Sequence, residues 1–257
     1  MMKRLLIIPA AGLGTRLESE TPKLLYPVNG RPMLNYLFDL YAPVVNRFVL
    51  VLHPTTVERV EQHCAALRLP VEFDVQVSPT GMLDAILIPR QRVERYQPDQ
   101  VWITWCDQIG VHPRTVWRLA ETAGDAELVM PTTVKAEPYI HFERDQQGRI
   151  NGLLQRREGD HMPERGEGDL GLFSLSRKAY LELLTRFSEN AVVGGTTKER
   201  NFLPFIPWLG AQGASVRTFP AHTEMESVGV NTKADLELIA EYLAHGHQQT
   251  LRHHPGV

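Results

Sequence analysis

The feature that most constrains this chain is a regular alternation of short apolar runs with helical stretches. Five segments have the composition of β-strands: residues 4–10, 47–53, 71–77, 101–106 and 126–134. Several of them are almost continuously apolar, which is typical of strands buried on both faces of a sheet. Helical patterns lie between them at 32–41, 55–67, 81–95 and 113–123. Because strands that alternate with such helices form right-handed βαβ units, the sequence predicts an α/β fold with a mainly parallel sheet.

The pattern changes after residue 135. A hairpin is predicted over 141–155 with its turn at "DQQG", and the polar, glycine-bearing stretch 156–168 is interpreted as a surface loop. A strand, two helical stretches and a last strand and helix are then expected at 171–175, 176–187, 199–209, 215–221 and 231–243. We expect one domain over 1–244. The His-rich tail 245–257 is predicted to be disordered rather than metal-binding, because no acidic or Cys partner accompanies it.

Composition limits the classes of function. The 257 residues suit one large domain, and a formal charge of −3 argues against a general nucleic-acid binder. Two cysteines without metal-ligand spacing indicate a reducing compartment. The first apolar run stops at Pro9, too early for a signal peptide, and no run reaches transmembrane length. We therefore expect a cytoplasmic protein without membrane or nucleic-acid partners.

A glycine-rich loop follows the first predicted strand, at the sheet edge where α/β proteins bind ligands. Gly12 and Gly14 allow backbone amides to approach a phosphate closely. Two familiar phosphate loops are excluded, because Leu17 stands where a dinucleotide fingerprint needs Gly and "LES" stands where a P-loop needs Gly-Lys-Ser/Thr. A bare Gly-x-Gly is equally compatible with a structural turn.

Two cations strengthen the phosphate interpretation. Arg16 and Lys23 lie beside the glycines, and together they can neutralise part of the charge of a triphosphate. Pro22 favours an extended or turn geometry at Lys23. The alternative is that both are solvated surface charges.

The stretch "AAGLGTRL" followed by "TPKLLYPVNGRPML" closely resembles the signature of the sugar-1-phosphate nucleotidylyltransferases, or pyrophosphorylases. The resemblance extends over residues 3–243. It implies a Rossmann-like three-layer α/β/α nucleotidyltransferase fold with a mixed, mainly parallel central sheet, in the type that lacks an appended β-helix. It also implies an Mg²⁺-dependent reaction of a nucleoside triphosphate with a sugar 1-phosphate, giving a nucleotide sugar and pyrophosphate.

The resemblance assigns roles to individual residues. Arg16 and Lys23 would be catalytic, and Asp107 and Asn231 would hold Mg²⁺. Each metal ligand has a plainer alternative, since Asp107 can be a turn or capping residue and Asn231 can cap the last helix. The nucleotide would be bound by two glycine loops and by the first metal ligand: Ala10, Ala11, Gly12, Gly14, Thr15, Gln76, Pro79, Thr80, Gly81 and Asp107.

The acceptor side departs from the family pattern. Many relatives carry Glu-Lys-Pro near the middle, where this chain has "LLQRREGD", and often Asn where it has "GDLGLF". Gln155 and either Arg156 or Arg157 would have to replace the Lys, and we assign Arg156, Asp169 and Gly171 to substrate binding. Two alternatives remain open: nucleotidyl transfer to a non-sugar phosphate, such as an alcohol phosphate or the molybdenum cofactor, and a catalytically silent ligand sensor. The nucleoside triphosphate and the oligomeric state, possibly a homo-oligomer, also stay open.

Overall fold

The computed structural model describes residues 2–12 and 21–250, with side chains up to His245. Within these ranges the strands are β1 (Arg4–Ala10), β2 (Pro27–Val28), β3 (Arg31–Pro32), β4 (Arg47–Leu52), β5 (Val71–Val75), β6 (Gln100–Thr104), β7 (Leu128–Ala136), β8 (Ile140–Arg144), β9 (Ile150–Gln155), β10 (Arg165–Asp169), β11 (Leu172–Ser176) and β12 (Val216–Pro220).

The α-helices of the same ranges are α1 (Met33–Tyr41), α2 (Val57–Ala65), α3 (Met82–Leu87), α4 (Arg90–Tyr96), α5 (Pro113–Thr122), α6 (Leu184–Glu189), α7 (Phe205–Ala211) and α8 (Lys233–Thr250). Short 3-10 helices form at Lys23–Leu25, Arg156–Glu158 and Glu224–Ser227, and a π-helix at Ala179–Leu183 leads into α6. No helix of the described part is both long enough and apolar enough to cross a membrane.

The main sheet has the strand order β10-β7-β11-β6-β1-β4-β5, and β12 pairs with β7. β1 lies between β4 and β6 in parallel register, and β5 continues the parallel half beyond β4. β11 is antiparallel to both β6 and β7, whereas β12 is parallel to β7. This is the mixed, mainly parallel central sheet that the sequence predicts.

Side chains alternate between two hydrophobic clusters, one on each face of the sheet. Leu6 and Ile8 of β1 pack into the cluster that holds α1, α2, α5 and part of α8. Leu5 and Ile7 point the other way, into the cluster with α3, α4, α6 and α7. The apolar strands are therefore buried on both faces, and the architecture has the three layers of an α/β/α fold.

Two of the predicted helices differ in the structure, and a third is shortened, as Pro204 and Pro207 predict. The predicted helix 81–95 is two helices, α3 and α4, separated at Pro89, which cannot donate the backbone hydrogen bond that continues a helix. The predicted helix 176–187 starts as a π-helix. In the stretch 199–209, α7 begins only at Phe205, directly after Pro204.

The interpretation of 156–168 as a loop is wrong at both ends. Its first residues form a 3-10 helix, and its last residues belong to β10, which pairs with β7. Gly166 and Gly168 are required there, because a Cβ atom on either would lie within 3.0 Å of His141, Pro138 or Ile140. The glycines that suggested a loop thus allow another segment of the chain to approach the strand.

The C-terminal helix is longer than predicted. α8 continues to Thr250, so the expected boundary of the domain at residue 244 falls inside this helix. Residues 251–257 of the predicted disordered tail lie outside the described part of the chain.

Candidate active site

The carboxyl ends of the parallel strands meet at one edge of the sheet. β4, β5 and β6 run parallel to β1, and β7 has the direction of β6 because antiparallel β11 lies between them. The segments that follow β1, β5, β6 and β7, and the one that precedes β11, therefore share this edge. Asp107, Thr80 and Gly171 lie on such segments, as the site interpretation requires.

Three predicted residues meet at the centre of the edge. Lys23 Nζ donates hydrogen bonds to Asp107 Oδ2 at 2.8 Å and to Asn231 Oδ1 at 3.0 Å. The side chains of Lys23 and Asp107 are only 14% and 15% exposed. Two acidic or amide oxygens and one ammonium, from positions distant in sequence, thus converge on one point. The alternative that Lys23 is a solvated surface charge does not fit this burial.

Local structure fixes the position of Lys23. It begins a 3-10 helix after Pro22, and Leu25 N donates to Pro22 O at 2.8 Å. Ala10, Gly12 and Lys23 line one small cavity, so the end of β1 faces the start of this helix. Ala11 is buried beside them. The predicted ligands Gly14, Thr15 and Arg16 lie outside the described residues.

Asn231 is held against Asp107 by the backbone. Val230 N donates to Asp107 O at 3.1 Å, and a Cβ atom on Gly229 would lie 3.1 Å from Asp107 Cγ. Asp235 Oδ2 accepts from the amides of Asn231 and Thr232, so the start of α8 is capped by other side chains. The side-chain oxygen of Asn231 is directed to Lys23 instead.

The second glycine loop has a defined shape. Gln76 is buried, and its Nε2 donates to Gly81 O at 3.2 Å and to Thr80 Oγ1 at 3.4 Å, while Pro79 and Thr80 are exposed. Gly81 has a φ of +128°, and a Cβ atom on it would lie 2.4 Å from Arg200 O. Only glycine fits this place.

The approach of Arg200 to this loop is a feature that the sequence interpretation missed. Arg200 N donates to Thr80 O at 2.8 Å, and Leu83 N donates to Arg200 O at 3.0 Å. The guanidinium of Arg200 bonds the Asp84 carboxylate and Ser188 O. No local pattern predicts this contact, because the two segments are more than a hundred residues apart and the stretch around 200 has helical periodicity.

On the other side of Asp107, Gly171 packs on Trp105. Trp105 N donates to Gly171 O at 2.9 Å, and a Cβ atom on Gly171 would lie 2.2 Å from Trp105 Cδ1. Asp169 Oδ1 accepts from Gly171 N at 2.6 Å, which closes the turn between β10 and β11. Burial raises the pKa of Asp169. One oxygen of the predicted substrate ligand Asp169 is thus used to hold Gly171.

Arg156 begins a 3-10 helix directly after β9 and is exposed. Within the described residues its side chain forms no hydrogen bond or ion pair, and the structure does not bring it to the Lys23 cluster. The preceding Gln155 is bonded by Asn201 Nδ2. Phe202, the next residue, packs on Trp105 with ring centroids 6.1 Å apart. Asn201 is a second feature that the sequence interpretation missed.

The oxygens of Asp107 and Asn231 are the hard ligands that Mg²⁺ prefers, and both already face the same cationic atom. Among the described residues, no group of three or more His, Cys, Asp and Glu side chains could hold a metal by itself. A divalent ion there would need further ligands from a substrate. Burial raises the pKa of the neighbouring Cys106 to about 11, which keeps its thiol protonated at neutral pH.

The sequence is similar to those of known proteins. A model of the MobA-like NTP transferase domain family matches residues 6–169. The bifunctional protein GlmU of Pseudomonas putida is 28% identical over 234 residues, which are 90% of this chain and 50% of the relative. That of Blochmanniella pennsylvanica is 29% identical over 243 residues, 89% of this chain and 50% of the relative.

The chain thus spans about half the length of these curated relatives. The family match begins within β1, covers the glycine loop and Asp107, and continues through β7 to the end of β10. Because the matched region is more than half of the sequence and contains Lys23 and Asp107, the chain belongs to the family of MobA-like NTP transferase domains and is a nucleotidyltransferase.

Proposed function

We propose that this chain transfers a nucleotidyl group from a nucleoside triphosphate to a sugar 1-phosphate and releases pyrophosphate. The observation that supports this most strongly is the convergence of Lys23, Asp107 and Asn231 at 2.8 and 3.0 Å. A phosphate oxygen of the acceptor attacks the α-phosphorus of the triphosphate. The bond from that phosphorus to the bridging oxygen breaks, and the electron pair leaves with pyrophosphate. No general base is needed, because the attacking phosphate is already ionised at neutral pH.

The task of the protein is to bring two highly charged anions together. Lys23 would release Asp107 and Asn231 and bind the α-phosphate and the attacking oxygen. Arg16, which lies outside the described residues, would bind the departing pyrophosphate. Thr80 and Gly81 would enclose the base, held by Gln76 from one side and by the backbone of Arg200 from the other.

We assign Mg²⁺ to Asp107 and Asn231. When bound, it would supply electrostatic stabilisation of the negative charge that develops on the α-phosphate. Two protein ligands are few, so the ion should bind tightly only together with the triphosphate, as is usual for Mg²⁺ at nucleotide sites. A role in nucleotide-sugar biosynthesis in the cytoplasm follows from this proposal, and the two free cysteines are compatible with that compartment.

The acceptor side leaves a second candidate, transfer to a phosphate that is not on a sugar. The observation in its favour is that one carboxylate oxygen of Asp169 accepts the hydrogen bond that closes the turn at Gly171. Many relatives have an Asn in this region for binding the sugar. The remaining alternative, a catalytically silent ligand sensor, would bind a ligand without turnover.

The test is a screen of UTP, CTP, dTTP and GTP against a panel of sugar 1-phosphates and of alcohol phosphates such as glycerol 3-phosphate. Pyrophosphate release is followed with and without Mg²⁺. Release with a sugar 1-phosphate supports the first candidate, and release with an alcohol phosphate alone replaces it by the second. Binding of a triphosphate without release from any pair would contradict both.

A further inference from the structure

A second cation lies at the acceptor side of the same edge. Lys135 is the residue before the last of β7, whose carboxyl end shares the edge with that of β6. It is opposite Gly166 of β10, three residues along the register from the pair formed by Thr132 and Asp169. Lys135 therefore lies on the strand next to the Asp169–Gly171 turn, at the end that faces the ligand.

Among the described residues, the ammonium of Lys135 has few hydrogen-bond partners. It is half-buried, and it donates a hydrogen bond to Ser227 Oγ at 3.3 Å. In the part of the chain that the structure describes, it forms no ion pair. Burial lowers the pKa of Lys135, and the charge of Asp169 opposes this effect. Partial burial of a cation costs free energy when its hydrogen-bond partner is a neutral hydroxyl, unless a bound anion also contacts the cation.

Ser227 connects this cation to the catalytic centre. It ends the 3-10 helix Glu224–Ser227, and the chain continues from it through Gly229 to Asn231, beside Asp107. Lys135 thus lies between two acceptor-side features, the turn at Asp169 and the segment that leads to the proposed metal ligand. Lys178, by contrast, follows β11 at the opposite edge of the sheet.

We propose that Lys135 binds the phosphate of the acceptor and orients it for attack. This rests on the proposed function, and it gives the acceptor phosphate a cation of its own while Lys23 serves the α-phosphate. The acceptor is then a phosphorylated compound whose phosphate lies between Lys135 and Asn231. Ser227 is a positioning residue, because its hydroxyl holds the ammonium before the acceptor arrives.

The kinetic test uses Lys135→Met with the most active substrate pair of the wild-type chain. The KM for the acceptor should rise about 10- to 100-fold, the range for a lost hydrogen bond between charged partners, while the KM for the triphosphate changes less than about twofold. Lys135→Arg should recover part of the loss. Lys178→Met is the matched control, since it removes the same charge at an exposed site on the opposite edge.

A binding test separates this inference from the proposed function. Lysines of the full chain are ¹³C-methylated, the Lys135 signal is identified by its loss in Lys135→Arg, and glucose 1-phosphate, glycerol 3-phosphate and inorganic phosphate are titrated. A saturable shift of this signal with any of the three, without a shift at Lys178, supports the inference even if no pair is turned over. An unshifted Lys135 signal overturns it. So does an unchanged acceptor KM in folded Lys135→Met, and release of pyrophosphate by the wild type would then still support the proposed function.

Discussion

The sheet edge that carries the candidate site has two halves, which differ in the hydrogen bonds and ion pairs of their charged side chains. In the half that we propose for the nucleotide, which contains Lys23, Asp107, Asn231 and the loop at Gly81, Lys23 and Asp107 are almost buried and bonded to each other, with Asn231 as a third partner. In the half that we propose for the acceptor, Arg156 is exposed and, within residues 2–12 and 21–250, the one hydrogen bond of Lys135 Nζ goes to the Ser227 hydroxyl. The first half lies on parallel β1, β5 and β6, and the second on β7 and on β10 and β11, each of which pairs antiparallel with β7.

This difference indicates different events on binding. In the nucleotide half, the substrate must exchange existing bonds for new ones, because the carboxylate and the ammonium already neutralise each other. In the acceptor half, the substrate would add hydrogen bonds to Arg156 and Lys135, whose side chains form few in the described part of the chain. Changes of Lys23 or Asp107 should therefore affect the rate of the chemical step, and changes in the acceptor half should affect the KM for the acceptor.

The largest effect is expected for Asp107→Asn. The amide keeps an oxygen for the Lys23 hydrogen bond, so the free energy of unfolding should fall by only about 1–2 kcal/mol. The charge that holds Mg²⁺ is lost, and the metal contributes several kcal/mol to such reactions, so Mg²⁺-dependent pyrophosphate release should fall by about 10³-fold or more.

Asp99→Asn is the control for this change. Asp99 precedes the other end of β6 and bonds Lys3 N, far from the proposed metal site. Turnover by Asp99→Asn should match that of the wild type. Full activity in Asp107→Asn would make Asp107 a structural residue and would place the metal elsewhere.

The next effect is expected for Lys23→Ala. Loss of one cation that stabilises the transition state should lower turnover by about 10²-fold, measured as kcat at saturating substrates. The thermal unfolding midpoint reports whether Asp107 tolerates the loss of its buried partner. Lys3→Ala, at the exposed start of β1, is the control. A folded Lys23→Ala protein with near-normal kcat would refute the assigned role.

The comparison of the halves also explains what the sequence could predict. The strands of the parallel half are apolar on both faces, and their order follows from local βαβ rules, so the segments near β1, β4, β5 and β6 are confirmed. The family resemblance, in the glycine loop for Lys23 and in the segments 102–110 and 226–236 for Asp107 and Asn231, predicts that these residues share one site, and the structure brings the three into contact.

In the acceptor half, local patterns were misleading. β10 has the composition of a loop, and it is a strand only because Gly166 and Gly168 let β8 and its neighbours approach. The contacts of Arg200 with Thr80 and of Asn201 with Gln155 join segments that have no shared local signal. Such long-range pairings depend on the whole fold, which periodicity in a short window does not encode.

A smaller effect, confined to the nucleotide, is expected for Gly81→Ala. The new Cβ atom would lie 2.4 Å from Arg200 O at a φ of +128°, so the loop must move. The KM for the triphosphate should rise about tenfold, with a loss of about 1–3 kcal/mol of stability. The KM for the acceptor should not change. Gly195→Ala is the control, because no atom lies within 4 Å of its added Cβ. Equal effects on both KM values would mean that the halves are not separable.

The smallest effect concerns pH, at the helix that follows the Asp107 segment. His112 caps α5 and lies 4.3 Å from His222, measured between ring centroids. Burial, then His222 and Arg114, lower the pKa of His112 to about 4. The unfolded chain has an ordinary value near 6.5, so it binds more protons than the folded chain between these values.

Stability from the neutral His112 is therefore fully present above about pH 6.5 and is lost as the pH falls towards 4. Arg114 N donates to His112 Nδ1, and in His112→Asn the amide oxygen can accept this bond instead, because Asn is a good helix cap. The Asn side chain does not gain a proton in this pH range. Thermal unfolding midpoints measured from pH 7.5 to 4.5 should fall less steeply in this variant than in the wild type. Parallel curves for the two proteins would show that His112 is not responsible, and that acid sensitivity arises from another part of the chain.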